Sequence, residues 1–274
     1  MRALWQILAA FGVVTVLFNA VLYAVRARVL RGLEACDAVA RLGLVHAAGA
    51  FATECAATAV VLLTVPFGWL LPQCRSGRGT RGPVLLIHGW SLNRGCFWLL
   101  RRRLLRDGWS PVCCLDYRSL RCDVEGGAVR LRDAVERLPE ALAHPPVMLI
   151  GHSLGGLVAR YYARRYPAPR VRRIVTLGTP HRGTALARMP GGAGHKLAPG
   201  SQFLNKLNAA DRVPQQFDVI AIHSSFDAML LPPQNAEYPV AFNIRVSDVG
   251  HNALLFSSKV YALISENLAA ALPR

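Results

Sequence analysis

The segment that most restricts this chain is GHSLGG at 151–156. It stands without a spacer between an apolar run, PVMLI, and an apolar-periodic stretch, LVARYYARRY. A buried strand must therefore turn at once into a helix. Gly151 and Gly155, two residues before and after Ser153, let the two elements approach where a Cβ would clash. A turn that sharp holds the serine in a strained backbone conformation and raises its hydroxyl clear of the sheet. Ser153 is thereby marked as a nucleophile.

The rest of the C-terminal part is consistent with that turn. Nearly continuous apolar runs at 83–88, 111–115, 146–151, 172–178, 217–223 and 239–246 read as strands, with helices at 94–107, 126–142, 154–166, 201–210 and 252–271. Strands apolar on both faces need helices on both sides of a parallel sheet. The expectation is an α/β, doubly wound, mostly parallel sheet whose functional residues lie in loops at the strands' carboxyl ends.

A serine hydroxyl becomes a useful nucleophile when a histidine takes its proton and a carboxylate orients that histidine. In this topology the chain order is Ser, acid, His. The acids after Ser153 at 211, 218, 227, 237 and 248 and the histidines at 181, 195, 223 and 251 are the candidates. His251, in VSDVGHNALL, falls in a loop between the last strand and the last helix. Asp227, in HSSFDAMLLPP, falls in the loop after the fifth strand. Asp248 is the rival acid, but three residues from His251 it reads as bonding local backbone. Asp211 and Asp218 flank the wrong end of their strand, and His223 reads as a packed strand residue. An oxyanion needs two preorganised donors, for which the backbone N–H groups of Trp90, in His88-Gly89-Trp90, and Leu154 are placed. His88 and His152 read as structural hydrogen-bonding residues. Trp90, Leu92, Phe97 and Trp98 are candidates to line an acyl pocket.

The motifs HGW at 88–90, GHSLGG at 151–156, TLGTPHRGT at 176–184 and LAPGSQFLNKL at 197–207 resemble those of the α/β-hydrolases, in their bacterial lipase/esterase branch. The resemblance covers about residues 82–271. It implies ester hydrolysis through an acyl-enzyme, with Ser153, Asp227 and His251 as triad and Trp90 and Leu154 as oxyanion pair. By the same likeness His181 is a loop residue near the site. The implied substrate is a lipidic or other carboxylic ester, and no cofactor is called for. An acyltransferase or thioesterase would use the same triad, and a non-catalytic membrane scaffold would have lost a member of it. No acidic pair has calcium spacing, and a short insertion at 185–200 is the segment available to cover the site.

Before residue 82 the chain is of another kind. Residues 3–25 carry no charge, and at about 1.5 Å per residue they cross a bilayer core. A second uncharged stretch, 55–73, contains Pro66 and makes the segment a transmembrane helical hairpin. A mid-bilayer carboxylate costs about 2.5–3.5 kcal/mol, so Glu54 must sit at an interface or find a partner. Residues 1–73 are thus expected to anchor the chain through one or two spans, 74–82 to link, and 83–274 to catalyse. A chain begun near Thr80 is expected to remain active on a short soluble ester. With 53% hydrophobic and 18% charged residues, disorder is excluded. The net charge of +16, nearly all arginine spread along the chain, favours an anionic lipid surface over nucleic acid. With a single span, Arg26, Arg28 and Arg31 behind it favour a cytoplasmic catalytic part. The odd set of seven cysteines has no metal spacing and is read as structural thiols without a disulfide framework.

Overall fold

The computed structural model describes residues 2–32, 43–138, 146–166, 170–189, 194–209 and 217–270. Glu34, Cys36, Asp37, Arg41 and Asp211, the end of the helix expected at 126–142 and part of the 185–200 insertion lie outside them. Two long helices come first, α1 (Arg2–Arg31) and α2 (Leu44–Thr64), the latter running into a 3-10 turn at Val65–Leu70. The sheet follows: β1 (Cys74–Arg75), β2 (Val84–Ile87), β3 (Val112–Leu115), β4 (Val147–His152), β5 (Val171–Leu177), β6 (Asp218–Ser224) and β7 (Phe242–Val246). The remaining helices are α3 (Trp98–Arg106), α4 (Val124–Glu136), α5 (Leu154–Arg165), α6 (Gln202–Ala209) and α7 (Ser258–Ala269).

The strands are ordered β1-β3-β2-β4-β5-β6-β7, all parallel except β1, which pairs antiparallel with β3. The six expected strands are present within a few residues, and β1 is additional. It falls in the segment read as a linker, where two residues are too few to carry an alternating pattern. Cys74 lies opposite Cys113 in that register, and the two form a disulfide. The expectation of unpaired thiols is therefore corrected for this pair, whose proximity comes from sheet pairing across 39 residues. Cys55, Cys96 and Cys114 are buried free thiols.

Alternating residues of the central strands feed two cores. Leu85, Ile87, Leu115 and Leu149 pack with α4 and α5 through Leu131, Val135, Leu157 and Val158. Val84, Leu86, Val112, Met148 and Ile150 pack on the other face with α3 and α7, and with Ala57 and Val61 of α2. β7, at the sheet's edge, leaves Phe242 exposed. Residues of both its faces are exposed over most of its length, so it departs from the fully buried strand expected there.

Candidate active site

β4 ends at His152 and α5 begins at Leu154, so Ser153 alone makes the turn. Its φ of 54° and ψ of −121° cost of order 1–3 kcal/mol for a residue with a side chain. The surroundings hold it there. Ser153 N–H donates to the Leu177 carbonyl at 2.8 Å and the Thr179 hydroxyl donates to the Ser153 carbonyl at 2.9 Å. A Cβ on Gly151 would lie 2.5 Å from Gly156 N, and one on Gly155 2.0 Å from the Ile87 carbonyl oxygen. Both positions therefore need glycine. Ser153 stays partly accessible among buried neighbours.

The loops after β6 and β7 bring Asp227 and His251 together. His251 Nδ1 and Asp227 Oδ2 are 2.6 Å apart, and Asp227 is wholly buried. The other carboxylate oxygen accepts the N–H groups of Met229 and Leu230 at 2.7 and 3.1 Å, which fixes its orientation. Burial disfavours a charged His251, but the adjacent Asp227 charge and hydrogen bond overcome it, with Glu54 adding in the same direction. Its pKa is held above the ordinary histidine value. The His152 ring lies beside that of His251, tilted by 49° with centroids 4.8 Å apart, and its Nε2 is 3.2 Å from the His251 carbonyl oxygen.

The other candidates are engaged elsewhere. Asp248 accepts from Lys259 at 2.8 Å on the surface. His181 lies 2.9 Å from Arg160 and 3.1 Å from the Thr176 hydroxyl, and His223 is buried 4.0 Å from Glu237. Burial pushes His152 down to about 3 and His88 to about 4, so both are neutral imidazoles at neutral pH.

Leu154 opens α5, whose first N–H groups have no intrahelical acceptor. Gly89, just before Trp90, presses on the turn: a Cβ there would lie 3.0 Å from Ser153 Cβ. Trp90 is partly buried and its ring N–H donates to the Leu120 carbonyl at 3.1 Å. Leu92 is likewise partly buried and packs on the second core, whereas Trp98 is exposed. Phe97 is fully enclosed in that core. It fills the fold, so its place in an acyl pocket is corrected: a helix starting at Trp98 turns the preceding side chain inward. Among the described residues no cluster of three His, Cys, Asp or Glu side chains is set to hold a metal.

Two residues near the site carry no sign of that place in the sequence. Thr179 supports the serine backbone, and TLGTP in the quoted motif was its only trace. Glu54 was read as a charge needing a partner, and its partner is the His251 loop. Its Oε1 accepts Asn252 N–H at 3.0 Å and its Oε2 accepts Ala253 N–H at 2.9 Å.

Residues 82–198 match the family described as alpha/beta hydrolase fold. Triacylglycerol lipases of Pseudarthrobacter phenanthrenivorans and Burkholderia plantarii are each 33% identical over 115 residues, 39% of this chain and 36% and 32% of theirs. The chain thus spans about a third of the length of these curated relatives. Among solved structures, the mature lipase BlEst2 of Bacillus licheniformis superposes with a TM-score of 0.58 at 15% identity, covering 69% of this chain and 92% of that one. A monoacylglycerol lipase of Paleococcus ferrophilus gives 0.54 at 17% identity, covering 71% and 97%. The chain has the α/β-hydrolase fold and is similar to proteins of its lipase/esterase branch.

Proposed function

We propose that this chain is a membrane-anchored serine hydrolase that cleaves carboxylic esters of lipids, with Ser153, His251 and Asp227 as its triad. The observation that carries the reading is the buried 2.6 Å His251–Asp227 pair in the loops beside a serine held at positive φ. Ser153 Oγ attacks the ester carbonyl as its proton passes to His251 Nε2. Asp227 keeps the proton on Nδ1 and stabilises the imidazolium that results. The oxyanion of the tetrahedral intermediate takes the N–H groups of Leu154 and Trp90. Collapse expels the alcohol with the proton from His251, and water repeats the sequence on the acyl-enzyme to release the acid.

The lipid character of the substrate is supported by the names of the relatives and by the N-terminal helices. Two segments, Trp5–Arg31 and Leu44–Leu70, are long and apolar enough to cross a bilayer. In this reading residues 1–73 hold the anchor, 83–274 carry the triad and 74–82 lie between them, with α2 packed against the catalytic part through Ala57 and Val61. The Cys74–Cys113 bond favours a catalytic part outside the cytoplasm. Ser153→Ala is the test: it should abolish fluorophosphonate labelling and ester hydrolysis with the melting temperature unchanged, whereas labelling that persists rejects the nucleophile.

A further inference from the structure

α2 presents one face to the catalytic part. Ala50, Glu54, Cys55, Ala57, Thr58 and Val61 are its buried residues, spaced as one side of a helix. Apolar members of that face meet the core. Glu54 meets the backbone that follows His251: residues Ala253–Leu255 form a 3-10 turn, and the two N–H groups at its start have Glu54 as acceptor. Both carboxylate oxygens are used, and the side chain is 3% exposed. Asn252 adds a bond from its side chain to the Thr58 hydroxyl at 3.1 Å. At Gly250 a Cβ would fall 2.3 Å from Glu54 Oε2, so the approach depends on a missing side chain. The His251 carbonyl is meanwhile met by His152 at 3.2 Å.

We propose that Glu54 is a positioning residue of the active site, clamping the His251 loop through two backbone amides and making α2 a working part of the catalytic fold. The inference rests on the reading of His251 as general base. A carboxylate is suited to the task because a turn's first amides carry partial positive charge and lack acceptors. Its charge also lies close enough to His251 to favour the imidazolium that forms in the transition state. The other titratable groups around the pair are His152 from the turn, Cys55 beside Glu54, and Tyr23 and Arg26 from α1. The Tyr23 ring lies 4.7 Å from Phe226, and Arg26 donates to the Ser225 carbonyl at 2.7 Å.

The test uses the full chain in detergent micelles, with p-nitrophenyl butyrate as substrate and fluorophosphonate labelling as a count of competent serines. Glu54→Gln keeps the size and removes the charge. It should lower kcat about tenfold or more, leave KM within about twofold, and move the acid limb of kcat/KM down by about half a pH unit or more. Thr58→Val, which removes a neutral bond at the same contact, should leave that limb in place. Should Glu54→Gln fail to fold, Glu54→Asp takes over: its shorter carboxylate cannot reach both amides, so kcat should fall while the limb stays. Wild-type kcat and limb in Glu54→Gln, wild-type kcat in Glu54→Asp, or an equal limb shift in Thr58→Val overturns the proposal. A wild-type chain that neither labels nor hydrolyses instead overturns the triad itself.

Discussion

α1 and α2 are alike by hydropathy and unlike by environment. Both are long enough to span a bilayer, yet 11% of the most apolar stretch of α1 is buried in the molecule against 33% for α2. α1 displays Trp5, Val14, Leu17 and Val21 outward, whereas α2 turns Glu54, Thr58 and Val61 into the fold. Hydropathy records that a side chain avoids water, and lipid and protein interior satisfy it equally. The polar residues tell them apart. A carboxylate inside an apolar helix is tolerated where specific donors meet it, and on α2 those donors belong to the loop of the candidate general base.

The largest effect that separates the two helices is expected from deletion. A chain lacking residues 1–79, which the sequence alone predicts to stay active, loses α2 and with it the clamp on residues 252 and 253, together with β1 and its disulfide, so the sequence expectation is reversed and it should hydrolyse no p-nitrophenyl butyrate. Full activity in a folded product of that deletion would return α2 to the role of a pure anchor. Next in size is the grip on the opposite side of His251. Asp227→Asn should lower kcat about 10³–10⁴-fold through loss of the correct tautomer, and Asp248→Asn, whose carboxylate bonds Lys259, should change it less than about twofold. A reversed ranking would reassign the acid.

A smaller effect compares the packed faces directly. Gly250→Ala puts a methyl 2.3 Å from the Glu54 carboxylate, and overpacking of this kind costs about 1–3 kcal/mol, read as a lower melting temperature. Gly12→Ala on α1 meets nothing within 4 Å and should cost no stability. Equal losses at the two positions would erase the distinction between the helices. The smallest effect is in pH dependence. Neutral His251 is the active form and its pKa is raised, so kcat/KM should fall as pH drops through a midpoint above 6.5, the ordinary histidine value. A midpoint below 6.5 would mean that burial outweighs the neighbouring carboxylates.

Much of the fold was legible because its signals are local. The apolar runs, the glycines around Ser153 and the order of Asp227 and His251 are written in short stretches of chain. β1 was not legible, since two residues carry no period and its pairing with β3 is set by the sheet. The Cys74–Cys113 bond follows from that same pairing. Phe97 and Trp98 could not be told apart either, because one residue of offset at a helix start decides which of two aromatics enters the core. Glu54 was visible as a problem, a charge in an apolar stretch, but its solution lies at Asn252 and Ala253, far along the chain.

That separation has a consequence for biosynthesis. Glu54 and Ala253 stand 199 residues apart, so when α2 leaves the ribosome its partner does not yet exist. At a translation rate of about 5–20 residues per second, the carboxylate waits some ~10–40 s for the amides it will hold. Long-range contacts of this kind come late in folding. On the proposed function, the chain would therefore be assembled in an order that keeps it inert while its anchor is delivered: the first helices are complete while the histidine is still unmade, and the proposed acid and base, Asp227 and His251, both come in the last fifth of the polypeptide.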